Sequence, residues 1–291
     1  MTRSAFHPGN FVDIQVRPTR LWTQSLSWVL FIAGIALYAQ FSIARHRENP
    51  EDRVVPSFTQ LARGLKASAL EPAEEDDPVD ANASVIERLH HSMLFKDTVA
   101  SARRFSIALA LLVPAVLLGL HMAVFPFADA IFQRFVLFFD KIVALSLLPI
   151  LFIVFGIEEW SKIMLMVIGV APTLILDTCN IARSVPREQI VKAFTLKSTN
   201  ADVAYRIVLK QVLPQIINSV RLNLKPLALF LFAGEMIAST DGLAYRISIM
   251  RRHMGMDIIL PYLLWVALLL FLMDGLLRFA NRRLHPWFQP L

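Results

Sequence analysis

Long uncharged runs alternate with short charged segments along this chain. The runs have the length of bilayer crossings, for which about 20 apolar residues suffice. Leu21 to Ala44 and Phe105 to Ala128 contain no Asp, Glu, Lys or Arg. Phe135 to Ile157 is a third run, interrupted by Asp140, Lys141 and Pro149, and Lys162 to Ile181 is a fourth, with Pro172 and Asp177 inside it. A fifth crossing must lie within Ile216 to Thr240, where Arg221, Lys225 and Glu235 break the apolar pattern. The sixth is Ile258 to Met273, extended toward Arg278. The pattern predicts an all-α integral membrane protein with six crossings.

Between the fourth and fifth runs the loop 183–214 contains a basic insert, VKAFTLKSTNADVAYRIVLKQVLP, from Val191 to Pro214. Ala193, Leu196, Ala201, Ala204, Val208 and Val212 form one inward stripe at helical spacing. Lys192, Lys197, Asp202, Arg206 and Lys210 fall largely on other faces. The expectation is two short amphipathic helices at a membrane surface, offering a face to a partner; the plainer reading is a solvated connection.

Charge then orients the crossings. Residues 1–20 carry Arg3, Arg17 and Arg20 against Asp13, so they are placed in the cytoplasm, followed by a retained first helix over 21–44. Residues 45–104 are polar and proline-containing and are placed outside, where Glu71, Glu74, Glu75, Asp76, Asp77 and Asp80 read as a solvated loop. The five-helix core is 105–280, with loop 183–214 on the cytoplasmic side. There Arg183, Arg187, Lys192, Lys197, Arg206 and Lys210 outweigh Glu188 and Asp202. Residues 281–291 form a cytoplasmic tail.

Composition changes this picture little. With 56% hydrophobic residues and 21 Phe in 291 residues, the chain is too apolar for one soluble core. Its net charge of +6 is dispersed among the short connecting segments, which points to membrane orientation and away from nucleic acid. A single cysteine, Cys179, excludes an internal disulfide and a cysteine metal cluster, and no metal site is assigned. His90 and His91 are adjacent and would diverge on a helix, while His121 on an apolar run reads as a packed or interfacial residue. Ionisable groups within crossings normally face a bundle interior or a watery path. Asp140, Lys141, Asp177, Arg221, Lys225 and Glu235 are therefore candidates for a translocation path or gate. The competing reading places Lys162, Arg221 and Lys225 at helix ends, reaching for the interface. For Glu235, a structural or gating role is expected rather than substrate binding.

Several stretches carry a resemblance. Ala193, Ile207 and Leu209 stand in register with the loop pattern Glu-Ala-Ala, three residues, Gly, nine residues, Ile, any residue, Leu, Pro, with Thr195 and Leu196 between them and Leu213-Pro214 after. The stretch from Phe155 to Ile163, then Arg183-Ser184-Val185, Gly234-Glu235-Met236 and Gly242-Leu243 follow in order. Together they resemble the permease subunits of binding-protein-dependent ABC importers, of the nitrate/sulfonate/taurine type, over about residues 52–285. Departures are Val191 and Lys192 at the Glu-Ala positions, Lys197 at the glycine and Lys210 at the first proline. In the third crossing, Lys141, Val143 and Ala144 stand where the family has prolines.

The resemblance implies a six-helix type I importer permease fold in a prokaryotic inner membrane and no catalysis in this chain. It implies a second permease copy, ABC ATPase subunits that carry ATP and Mg, and a periplasmic or lipid-anchored substrate-binding protein. Lys192, Ala193, Phe194, Thr195, Leu196, Lys197 and Ser198 would form the coupling loop, with Phe194 and Leu196 facing the ATPase groove. Leu196 thus belongs to the inward stripe by spacing and to the docking face by resemblance. The implied substrate is a small anion or organic acid, such as nitrate, a sulfonate or a taurine-like compound. The chain itself lacks a G-x-x-x-x-G-K-[ST] phosphate loop. The alternatives are a secondary carrier, although no internal repeat is found, and a non-transporting membrane scaffold.

Overall fold

The computed structural model describes residues 20–48, 54–70 and 91–288, and every regular element among them is a helix. The N-terminal segment before Arg20, the acidic patch from Glu71 to Asp80, His90 and the last three residues lie outside the described residues. The chain forms two units, Met1–Gln60 and Leu61–Leu291.

The first unit is dominated by α1 (Arg20–Glu48), whose Trp28, Leu30, Phe31 and Leu37 are exposed. At the end of α1 the Tyr38 hydroxyl donates to the Pro56 carbonyl at 2.7 Å. His46 bridges the Ser42 carbonyl and the Gln60 side chain at 2.9 and 3.0 Å. These bonds fold residues 54–60 back onto the last turns of the helix, where α2 (Phe58–Leu70) starts.

In the second unit, α3 (Met93–Leu111) starts where the Ser92 hydroxyl caps the Phe95 N–H at 3.2 Å. It therefore begins well before Phe105, and Lys96, Asp97, Arg103 and Arg104, which the charge pattern places in an external segment, are helical. After Leu112 the path continues as α4 (Val113–Val124). Pro114 in its first turn accounts for the joint, because it cannot donate to the preceding turn. Pro126 then drives Phe125 into an extended conformation (φ −107°, ψ 109°) and starts α5 (Pro126–Asp140), so the second crossing ends at Val124 and not at Ala128.

The third crossing is broken. Past Asp140 and Lys141 the chain turns at Val143, runs through a 3₁₀ turn (Ala144–Leu147) and enters α6 (Leu148–Phe155), 86° away from α5. Five described helices are long and apolar enough to cross a membrane, and this bent pair makes a sixth if its two arms count as one crossing.

The central helix is α7 (Glu159–Arg183), which packs against α3, α4, α5, α6, α10 (Leu209–Leu222) and α11 (Leu224–Ala238). Ile163, Met166, Val170 and Leu174 of α7 meet Phe105, Ala108 and Leu112 on one side and Leu224, Leu227 and Leu231 on the other. Helices α4 and α7 approach closely at Gly119, where an added Cβ would lie 2.5 Å from the Ile175 carbonyl oxygen. Short α8 (Arg187–Thr195) follows α7, and α9 (Asn200–Asp202) passes through a π-helical segment (Val203–Val208) into α10. The second amphipathic helix expected in the insert is thus no separate element, since it continues into the fifth crossing. After α11 come α12 (Leu243–Arg252) and the long α13 (Met256–Leu284).

Candidate functional site

At one end of α7, helix α8 and its turn form a projecting loop. Ala193 is its anchor, buried with Val185, Val203, Val208 and Val212 against the ends of α4 and α7. The helix closes with the Lys197 N–H bonded to the Phe194 carbonyl at 2.9 Å and the Ser198 N–H to the Ala193 carbonyl at 3.1 Å, with Lys197 in the left-handed region at φ 60°. This is the two-bond ending that normally uses glycine. Lysine therefore holds a glycine-type conformation at this turn. A reciprocal cap between Thr199 and Asp202 starts the next helix.

The inward stripe holds at Ala193, Ala204, Val208 and Val212 and fails at Leu196 and Ala201, which are exposed. Leu196 caps α8, and the left-handed residue after it turns its side chain into the open, where it is 82% exposed. Val191 and Phe194 are exposed beside it, as are Lys192, Thr195 and Lys197; Ser198 is half-buried. Phe194 also edges a cleft of about 350 Å³ lined by Phe125, Arg183, Arg187, Ile190 and Asn200. Beside the loop, the Tyr205 hydroxyl meets His121 Nε2 at 2.9 Å, while His121 Nδ1 donates to the Leu117 carbonyl at 2.7 Å. His121 is thus a bonded residue between α4 and the π-helical segment.

At the opposite end of α7 lies a buried charge cluster centred on Arg104. Its Nε and Nη2 grip the two Glu159 oxygens at 2.5 and 2.8 Å, and Nη1 donates to Glu235 Oε1 at 2.8 Å. Nη1 also reaches the Asp241 carbonyl at 3.0 Å, and Nη2 bonds the Asp241 carboxylate. All five N–H groups of the guanidinium are used. Glu235 is fully buried and accepts from Ser101 Oγ at 2.7 Å and the Ala244 N–H at 3.0 Å, so both its oxygens are occupied within the protein. Gly242 crosses directly over it at φ 118°, where a Cβ would come within 2.6 Å of the Glu235 carboxyl carbon. Asp97 extends the cluster by accepting from the Gly242 N–H, Arg246 and the Tyr262 hydroxyl at 3.1, 2.9 and 3.1 Å. Lys162, for which an interfacial position was one reading, is buried, with Nζ on Glu159 and Ser239, each at 3.1 Å.

The other charged candidates are distributed and do not converge. Asp140 pairs with exposed Lys141 at 2.9 Å and accepts from Thr173 at 3.0 Å. Asp177 accepts from Ser219 at 2.8 Å, and Arg221 pairs with Asp274 at 2.8 Å. Lys225 is exposed and has no ion-pair partner among the described residues. Only Glu235 joins a larger network. The residues that build that network, Asp97, Ser101 and Arg104, were missed as site residues, although their spacing of four and then three is a polar stripe on one helical face.

A multi-pass helical bundle with a projecting loop is an architecture that membrane transport subunits share. The family model described as binding-protein-dependent transport system inner membrane component matches residues 115–286, and the chain belongs to this family. The taurine transport system permease protein of Escherichia coli (strain K12) is 29% identical over 195 residues, covering 67% of this chain and 71% of that relative. A Brucella melitensis protein described as a probable ABC transporter permease is 29% identical over 214 residues, covering 72% of this chain and 86% of that relative. Among solved structures, one of the MetNI methionine ABC transporter in inward-facing conformations aligns with a TM-score of 0.55 at 17% identity. It covers 68% of this chain and 97% of the other, a likeness of fold. The chain has the type I importer fold and is a permease subunit of an ABC importer.

Proposed function

We propose that this chain, with a second permease copy in a prokaryotic inner membrane, encloses a path for a small organic anion of the sulfonate type. A soluble or lipid-anchored binding protein delivers the anion from outside. A separate ATPase, which binds ATP and Mg, engages the loop from Lys192 to Ser198 and drives the bundle between inward-open and outward-open states. The observation that carries the coupling role is the exposed apolar tip. Leu196 and Val191 face away from the bundle, and Phe194 is half-exposed at the edge of the adjoining cleft, on a loop whose neighbour Ala193 is tied into the core. Large apolar side chains grouped on an exposed loop mark an interaction surface.

The anion reading is supported by the likeness to the taurine permease and by Lys225, an exposed cation at the start of α11 with no ion-pair partner among the described residues. Lys141 and Arg221 have acidic partners in this conformation and would contribute only on rearrangement. Asp140 and Asp177 hold neighbouring helices through Thr173 and Ser219. Glu235 has no free oxygen for a ligand and serves as a strut of the charge cluster.

The test is ATP hydrolysis by the reconstituted complex, stimulated with binding proteins carrying different ligands. Anion-loaded binding protein is expected to stimulate; stimulation only by a cationic or uncharged ligand would sink the substrate class. In the same assay Phe194→Ala is expected to leave the bundle folded and to lower transport per ATP hydrolysed. Half-burial of a Phe ring is worth only about 1 kcal/mol, so global unfolding is not the expected outcome. Wild-type coupling in this variant would remove Phe194 from the transmission.

A further inference from the structure

The docking loop carries more cations than its own two carboxylates compensate. Asp202 is engaged by the Thr199 hydroxyl and backbone and by Arg206 at 3.3 Å, one turn away on its own helix. Glu188, at the start of α8, is the other carboxylate of the loop. Arg187, Lys192 and Lys197 are exposed, and no ion pair to any of them occurs among the described residues. The left-handed turn at Lys197 sets this lysine directly after Leu196, so the tip presents a large apolar side chain and a cation side by side. Val191 and Lys192 repeat that pairing on the exposed side of α8.

We propose that this loop fits a partner ATPase whose groove has an apolar socket for Leu196 and an acidic rim facing Lys192 and Lys197. The inference rests on the coupling reading above and names the chemistry of its partner. Charge complementarity of this kind acts chiefly on encounter and specificity, and ionic strength screens it, whereas a weakly salting-out salt such as NaCl leaves burial of Leu196 little changed. The two contributions are therefore separable by salt alone.

The experiment uses the full chain in nanodiscs with the ATPase that copurifies with it, measuring association and retention at low and at high ionic strength. The double variant Lys192→Gln, Lys197→Gln is expected to slow association roughly tenfold at low salt and to match the wild type at high salt. Leu196→Ser is expected to speed release at both. If Leu196→Ser releases the ATPase but the double variant keeps the wild-type rate and salt dependence, the acidic rim is overturned while the coupling reading stands. If neither variant alters association or retention, the loop is not the docking surface and both fall. Because all three positions are exposed, none of these variants removes a core contact.

Discussion

Lys197 adopts a backbone conformation that costs a side-chain-bearing residue about 1 kcal/mol relative to glycine, and it does so to complete the hydrogen-bonded end of α8. Lys197→Gly removes that strain but gives the unfolded chain more freedom, and the two effects nearly offset. The isolated subunit is expected to keep its stability or to gain up to about 1 kcal/mol, read by thermal unfolding in detergent. A loss of more than about 0.5 kcal/mol would reveal a stabilising contact of the lysine side chain. Glycine at this position in the resembled loop pattern made the turn legible in the sequence, while the lysine left open whether the turn survived. Arg104 was illegible for a different reason. It stands at the edge of an uncharged run, and charge at such an edge is the ordinary mark of a crossing's end. Its burial depends on Glu159, Glu235 and Asp241, partners 55 to 137 residues away, which no local pattern brings together.

At the scale of elements, apolar runs located the helices well, and their ends moved wherever capping or proline outweighed hydropathy. Ser92 starts α3 early, and Pro126 ends the second crossing and starts a new helix. The π-helical segment before α10 had no sequence signal, because its side chains keep a near-helical apolar pattern through Val203, Ala204 and Val208. Packing at the centre is equally specific. Gly119 lets α4 rest on the backbone of α7, where a Cβ would also lie 2.8 Å from Thr178 Cβ. Gly119→Val is expected to push these helices apart and destabilise the bundle by about 1–3 kcal/mol. Folded yield and melting of the purified subunit measure this directly, and a wild-type melt would mean that α4 can shift without loss of packing. The variant should affect both ends of α7 together, since the charge cluster and the loop after Arg183 are joined by this one helix.

For the whole molecule, topology turns on the bent pair α5 and α6. If its two arms together cross the bilayer, a cytoplasmic N-terminus places Lys66 outside, the Arg104 cluster near the outer surface and the loop carrying Lys192 in the cytoplasm. The packing calls for that crossing: Arg104 meets Glu159 at one end of α7 and Leu120 meets Ala182 and Val185 at the other, so α3–α4 and α7 run in the same direction and the chain must return across the bilayer between them. The excess of Arg and Lys between Arg183 and Lys210 favours the cytoplasmic side for the loop. Labelling sites are best taken from exposed positions, and Ser68 is buried, so Lys66 is the suitable reporter for the external segment. In a Cys179→Ser background, Lys66→Cys is expected to react with an impermeant maleimide added to intact cells, and Lys192→Cys only after permeabilisation. Reaction at both positions in intact cells would put the two ends of α3–α4 on one side and so contradict its parallel packing with α7. Reaction at Lys192→Cys alone would invert the entire chain and remove an ATPase in the cytoplasm as the partner of this loop.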